Sequence, residues 1–213
     1  MKHLAQFYPN LSLLLLAVFV SSMTLVSCTT DDEENTDETN VTLSQAEKDM
    51  LIQMREEEKL ARDVYDYLYT SSGLQVFDNI SNSEQMHMDK ILVLLEKYNI
   101  PDPALPNAGA FSNPDLQNLY NQLIATGEAS NEDALTVGAT IEDLDIYDLD
   151  EFSALTNNAD ILEVFENLNC GSRNHMRAFY SQLSLLGITY TPQYISQTKL
   201  DEIINSSHEQ CNN

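Results

Sequence analysis

The stretch ISNSEQMHMDKILVLLEKY, residues 80–98, decides the fold, because its apolar residues recur at the spacing of one helical face. Ile80 and Ile91 lie on that face, and Glu84 and His87 interrupt it in the middle. An ionised carboxylate is costly to bury unless a partner compensates its charge. The stretch therefore predicts an amphipathic helix with polar groups inside its buried face.

Three further stretches of the chain show the same helical periodicity, and the alternation typical of strands is scarce. The first predicted helix begins with a capping box, in which Ser44 and Glu47 satisfy backbone groups at the helix start. The four predicted helices cover about residues 44–71, 79–98, 130–155 and 158–186. The sequence therefore predicts an all-α fold.

The connections between these helices differ in length. The first and third are short, whereas residues 99–129 form a long connection with a predicted short helix that begins at Asn113 and Pro114. Short, long, short is the order found in a four-helix bundle with one crossover, as in ferritin-like proteins. We therefore expect a ferritin-like four-helix bundle over residues 44–195, followed by a C-terminal tail at 196–213.

Each predicted helix carries polar residues in the middle of its buried face, which we call its seam. The seams comprise Leu51, Met54, Glu58, Ala61, Tyr65 and Leu68; Ile80, Glu84, His87, Ile91, Leu94 and Tyr98; Leu135, Gly138, Glu142, Asp145, Leu149 and Phe152; and Phe165, Leu168, Ser172, His175, Phe179 and Gln182. The neighbours Glu56 and Glu57 fall off the first seam and are predicted to face solvent. Several acids meeting in one core would repel one another, and two neutral histidines cannot balance them.

One or two divalent cations would balance this charge and satisfy the polar atoms at the same time. Two of the chain's four histidines, His87 and His175, lie on seams, each three residues after another polar seam residue. Carboxylate and imidazole ligands together suit iron, with manganese or zinc also possible. The sequence therefore predicts a mononuclear or dinuclear metal site. The candidate ligands are Glu58, Glu84, His87, Glu142, His175 and Asp145.

Two of these seams resemble the metal-binding helices of ferritins and rubrerythrins. Glu58-x-x-Ala61-x-x-x-Tyr65 looks like the first such helix, and Glu84-x-x-His87 looks like the second. The resemblance implies that Glu84 bridges two metals and that His87 is a terminal ligand. Tyr65 either donates a hydrogen bond to a ligand carboxylate or packs as an ordinary core residue.

The other two seams extend the resemblance but also depart from it. Glu142, followed one turn later by Asp145, resembles the third-helix ligand position, and His175 resembles the terminal histidine of the fourth helix. The fourth helix usually carries Glu-x-x-His, whereas Ser172 stands here where the glutamate is expected. Either Asp145 replaces that carboxylate or the site holds a single metal. Over residues 51–195, the segments EEEKLARDVYDYLY, SEQMHMDKILVLLEKY, IEDLDIYDLDE and GSRNHMRAF together resemble a bacterial ferritin-like family whose function is not established.

The N-terminal segment predicts export and a lipid anchor. Residues 1–27 combine an early lysine with an apolar run, as in a secretory signal peptide. The segment LVSC, which ends at Cys28, resembles a bacterial lipobox and implies lipidation of that cysteine. Residues 28–43 are acidic and predict a disordered tether. We therefore expect a protein of the bacterial cell envelope, anchored to a membrane and facing the periplasm or the cell surface.

Charge and cysteines add two constraints. The chain has a formal net charge of −24, which disfavours nucleic acid as a partner and favours divalent metal ions. Beyond the lipobox, Cys170 and Cys211 either form a disulfide, as exported proteins allow, or remain free thiols.

Two functions of different kinds fit these observations. The leading hypothesis is metal-dependent redox chemistry with O2 or peroxide, carried out by a ferritin-like bundle. The alternative is a non-enzymatic metal-binding or interaction module with a degenerate ferritin-like site. The sequence leaves open whether the protein is an enzyme.

Overall fold

The computed structural model describes residues 42–211, and this part of the chain contains helices and no strand. The helices are α1 (Gln45–Ser72), α2 (Gln75–Lys97), α3 (Pro114–Gly127), α4 (Asn131–Leu155), α5 (Ala159–Leu185) and α6 (Gln197–Asn205). The four long helices form a bundle in which α1 packs mainly on α2 and α4 mainly on α5. Helix α3 lies in the crossover and packs on α1 and α4. The prediction of an all-α bundle with a short helix in its long connection is confirmed.

Helix α2 begins about one turn earlier than the sequence predicted. Gly73 adopts a left-handed conformation with φ 71°, and its N–H donates to the carbonyl oxygen of Tyr69, which closes α1 tightly. Helix α2 then starts at Gln75, and the side chain of Phe77 is fully buried. The segment expected to be a loop is therefore helical. This additional turn before Glu84 brings Glu84 level with the middle of α1.

The core consists of two apolar clusters separated by a polar layer. One cluster includes Leu68, Phe77 and Phe179, and the other includes Leu51 and Phe165. Each long helix contributes residues to both clusters. The polar part of its seam lies between them, at the same level of the bundle in all four helices. The polar residues of all four predicted seams therefore meet in one layer.

The predicted seams are buried almost throughout. The exceptions lie at their ends, where Tyr98 and Phe152 are half-buried and Gln182 is exposed. Near the end of α5 the neighbouring Leu183 takes the buried position instead. An ideal helix has about 3.6 residues per turn, whereas steps of three and four average about 3.5, so a drift of the seam by roughly 20° every seven residues is expected.

A buried carboxylate fastens the segment that follows α5. Asp143 is fully buried, and its Oδ2 accepts hydrogen bonds from the Tyr190 hydroxyl at 2.8 Å and from the backbone N–H groups of Gln193 and Tyr194 at 2.5 and 3.2 Å. Its Oδ1 accepts from the N–H of Ile195 at 2.8 Å. We call residues 190–195 the clasped segment, because one side chain satisfies four of its donors.

The C-terminal tail returns to α5 and is held there covalently. Cys170 and Cys211 form a disulfide, so the first of the two alternatives is the one that the structure adopts. Arg173 and Arg177 both donate to the Glu209 carboxylate. No helix within residues 42–211 is long and apolar enough to cross a membrane. The predicted signal peptide at 1–27, the predicted lipidation site Cys28 and nearly all of the predicted acidic tether lie outside the described residues.

Candidate metal centre

Five of the six candidate ligands meet in the polar layer. Helix α1 supplies Glu58, α2 supplies Glu84 and His87, α4 supplies Glu142, and α5 supplies His175. All five side chains are buried. They form two groups of three, each with ligand atoms within 4.8 Å of one another: Glu58, Glu84 and His87, and Glu84, Glu142 and His175.

The first group is centred on the imidazole of His87. Its Nδ1 lies 2.7 Å from Oε2 of Glu84 and 3.2 Å from Oε2 of Glu58. Because Glu84 and His87 are three residues apart on α2, helical geometry places both on the same face. Glu58 reaches them from α1. This contact is possible because α2 starts early, which brings Glu84 and His87 level with Glu58.

The second group repeats this arrangement around His175. Its Nδ1 lies 2.8 Å from Oε1 of Glu84 and 3.4 Å from Oε2 of Glu142. The imidazole rings of His87 and His175 are stacked with their centroids 5.6 Å apart. Glu84 therefore stands between the two histidines and offers one oxygen to each.

Both carboxylate oxygens of Glu84, Glu142 Oε2 and His175 Nδ1 lie close to one another without the geometry of a regular hydrogen bond, and Glu58 Oε1 has no partner among the described residues. Buried polar groups in native proteins nearly always have a well-formed partner. The donor set of carboxylate oxygens and imidazole nitrogens fits one or two divalent cations.

Neighbouring side chains orient the ligands. The Tyr65 hydroxyl donates to Oε1 of Glu142 at 2.5 Å, so of the two possibilities for Tyr65 the structure adopts the hydrogen bond to a candidate ligand. The Ser83 hydroxyl lies 3.0 Å from Nε2 of His175, on the side of the ring away from the centre. Such partners fix the rotation of a ligand ring or carboxylate.

Gly171 makes room for His87. A Cβ atom added at this buried position would lie 2.5 Å from Nε2 of His87. The close approach of α5 to the ring therefore requires a residue without a side chain, and glycine meets that need inside a helix where it is otherwise unfavourable. Sequence patterns alone did not single out this residue.

The electrostatics of the centre match its geometry. Burial raises the pKa of Glu58 to about 7, an effect that the nearby His87 partly offsets. Burial alone would raise the pKa of Glu84, but the charges of His175 and His87 outweigh it and lower that pKa. Burial alone would lower the pKa of His87, but Glu58 and Glu84 raise it to about 9. A cation that binds the ring nitrogens of these histidines would have to displace their protons.

The sixth candidate, Asp145, belongs to neither group of three. It is buried and its Oδ2 makes no hydrogen bond to a described residue. Burial raises its pKa, and the negative charges of Glu58 and Glu142 add to that rise. Ser172 belongs to neither group of three, and its hydroxyl donates to the carbonyl oxygen of Leu168.

The prediction that Glu56 and Glu57 face solvent is wrong. Both are buried. The crossover covers Glu56, whereas Glu57 lies near Asp148 of α4. The N–H of Ser112 donates to Oε1 of Glu56, and Gln53 donates to Oε1 of Glu57. Asp102 in the same crossover receives two hydrogen bonds from Arg55. Helix α1 is thus covered on all sides near the centre, which an amphipathic pattern does not indicate.

Comparisons with known proteins identify a family, a relative and a solved structure that this chain resembles. The model of an uncharacterised protein domain, DUF2202, matches residues 47–207. The chain is 58% identical to an uncharacterised protein of Methanocaldococcus jannaschii, MJ0754, over 168 residues, which cover 78% of this chain and 91% of that protein. The crystal structure of hypothetical protein MJ0754 from the same archaeon superposes with a TM-score of 0.78 at 57% identity, covering 79% of this chain and 97% of that one.

Proposed function

The chain belongs to the DUF2202 family of uncharacterised domains, and from the geometry of its polar layer we propose that it is a ferritin-like metalloprotein. Glu58, Glu84, His87, Glu142 and His175 would hold two metal ions, with Glu84 shared between them. The observation that carries this proposal is the position of Glu84, whose two oxygens lie 2.7 and 2.8 Å from the Nδ1 atoms of His87 and His175.

The ferritin-like assignment rests on how the ligands are distributed. Each of the four long helices contributes at least one ligand from its midpoint, as in di-iron carboxylate bundles. Those bundles usually supply a second bridging glutamate from the fourth helix, and here Ser172 occupies that position. Glu84 alone would therefore bridge, and the centre would carry one carboxylate fewer than the symmetric form.

The donor set favours iron, with manganese or zinc as the alternatives. Bound iron would supply one-electron redox chemistry with O2 or peroxide. The chain's own residues would hold and orient the ions: Tyr65 fixes Glu142, and Ser83 fixes His175. The surrounding apolar clusters would limit the access of water to the centre.

Metal analysis of protein purified without chelators tests this proposal. We expect about two equivalents of metal per chain, and we expect the Fe(II)-loaded protein to consume O2 when exposed to air. The control is the His87→Ala, His175→Ala double variant, which should bind far less metal. A wild-type protein without stoichiometric metal, together with a fully stable double variant, would contradict the proposal.

The same experiment separates the two functional classes. Stoichiometric metal with O2 consumption supports the redox enzyme. Stoichiometric metal without O2 or peroxide turnover would establish a non-enzymatic metal-binding module instead, which is the alternative that the missing carboxylate at Ser172 favours.

We further propose that the protein is a lipoprotein of the bacterial cell envelope, anchored at Cys28. The proposal is supported by the LVSC segment and by the acidic residues that follow it. We expect the wild-type chain to fractionate with membranes and to lack residues 1–27 by mass spectrometry. The Cys28→Ser variant should lose the lipid mass, and an unchanged mass increment in that variant would contradict lipidation.

A further inference from the structure

A row of carboxylates leads along α4 from the candidate metal centre toward solvent. The row consists of Glu142, Asp145, Asp148 and Glu151, which follow one another at steps of three residues. Residues at this spacing are neighbours on a helix, with Cβ atoms about 5–6 Å apart. Each step falls about 60° short of a full turn, so the row winds from the inner face of α4 to its outer face. Glu142 and Asp145 are accordingly buried, whereas Asp148 is half-buried and Glu151 is exposed. We call these four residues the acidic row.

Glu57 of α1 adds a carboxylate beside the middle of the acidic row. Burial raises the pKa of Glu57, and the negative charge of Asp148 adds to that rise. Burial likewise raises the pKa of Asp145, and Glu57 is one of the nearby charges that add to it. Glu57 therefore lies close to both Asp145 and Asp148, where the row passes from buried to half-buried.

Two of these inner carboxylates have an oxygen without a partner. Oδ2 of Asp145 and Oε2 of Glu57 are buried and make no hydrogen bond to a described residue. Asp143 on the same helix is buried too, but its oxygens accept four hydrogen bonds. Buried polar groups in native proteins nearly always have a partner. A cation beside Asp145 and Glu57 would supply the one that both lack.

The opposite side of the bundle does not offer the same approach to the candidate ligand atoms. A cleft of about 260 Å³ between α2 and α5 is lined by His87 and His175, but by none of the three glutamates of the centre. Ser83 also lines this cleft and contacts Nε2 of His175. The atoms of both rings that face the glutamates are instead the Nδ1 atoms. The cleft therefore meets the side of the histidines that faces away from the glutamates.

We propose that the acidic row, together with Glu57, is the route by which divalent metal ions reach the centre. An ion binds first at the half-buried Asp148, passes to Asp145 and Glu57, and then reaches the ligands. Negative charges that line an entrance raise the association rate of a cation about 10–1,000-fold. This inference rests on the proposed function, because an entry route requires a metal centre at its end.

The rate at which metal-free, full-length protein takes up Co(II) tests this route. Co(II) follows Fe(II) in the order of affinities for such ligands, and stopped-flow absorbance measures its uptake. Asp148→Asn should slow uptake about tenfold, since it removes the outermost buried charge of the route. The final metal content should equal that of the wild type, because Asp148 is not a ligand of the centre.

The matched control is Asp66→Asn on α1. Asp66 is exposed, so this substitution removes the same charge from the chain away from the acidic row. Uptake by this variant should proceed at the wild-type rate. If Asp66→Asn slowed uptake as much as Asp148→Asn does, net charge alone would explain the effect and the route would be overturned.

Glu57→Gln provides a second variant, in which the side chain keeps its shape. It should also slow uptake, and the release of Co(II) into excess chelator should slow by the same factor, because one route serves both directions. A purely structural role for Glu57 would instead lower the metal content or the stability of the protein and leave the uptake rate per site unchanged.

The outcomes for the route and for the metal centre are distinct. Uptake at the wild-type rate by both Asp148→Asn and Glu57→Gln would overturn the route and leave the metal centre standing. A wild-type protein that takes up no Co(II) would contradict the proposed function, and the route with it.

Discussion

Replacing Glu84 by glutamine is expected to weaken metal binding strongly at both positions of the proposed centre. Glu84 is the carboxylate that the two groups of three share, so its loss removes a charged ligand from each. Mutating a group that only orients a metal ligand typically lowers metal affinity about 10–100-fold. Because Glu84 is itself a proposed ligand, we expect its substitution to lower metal affinity by more than about 100-fold. Metal analysis and competition with a chelator of known affinity measure the effect.

The matched control for this prediction is Glu96→Gln. Glu96 lies on the same helix and is exposed to solvent, so its substitution should leave both metals in place. Circular dichroism should show a folded Glu84→Gln variant, because glutamine keeps the shape of the side chain and the two histidines can lose their protons once the carboxylate charge is gone. A folded Glu84→Gln variant that retains two equivalents of metal would refute the shared-ligand arrangement.

Asp143→Ala should lower the free energy of unfolding by at least about 3 kcal/mol. The substitution leaves the Tyr190 hydroxyl and three backbone N–H groups of the clasped segment without their acceptor. Each buried donor left without a partner costs about 1–3 kcal/mol, and hydrogen bonds to charged groups lie at the upper end. Urea-induced unfolding of the variant and the wild type measures the difference.

Glu151→Ala on the same helix provides the control, because Glu151 is exposed. Its effect should stay within about 0.5 kcal/mol. Amide hydrogen exchange adds a local measurement: the N–H groups of Gln193, Tyr194 and Ile195 should lose protection in Asp143→Ala. Unchanged stability together with retained protection would show that Asp143 does not fasten this segment.

The helices and the composition of the centre were accessible from the sequence because both depend on local spacing. Apolar residues at steps of three and four located four helices, and the same steps singled out Glu58, Glu84, His87, Glu142 and His175. The structure brings these five side chains together. Helical periodicity carries this information because a buried face must keep its direction over many turns.

Features that depend on contacts between distant segments were not accessible in this way. Glu56 is buried under the crossover and Glu57 near Asp148 of α4, and neither contact has a signature in the pattern of α1 itself. The room that Gly171 leaves for His87 and the role of Asp143 as an acceptor likewise depend on segments far apart in the chain. The early start of α2 was missed because Gly73 predicts a break without indicating how short that break is.

The Cys170–Cys211 disulfide also affects the unfolded chain. Its cysteines are separated by 41 positions, and the loop between them contains the second half of α5, the clasped segment and α6. In the chain-entropy description, closing a loop of this length reduces the freedom of the unfolded chain enough to stabilise the folded state by about 4 kcal/mol. The same polypeptide would therefore unfold more readily in a reducing compartment than in an oxidising one, where the disulfide keeps the C-terminal tail against α5.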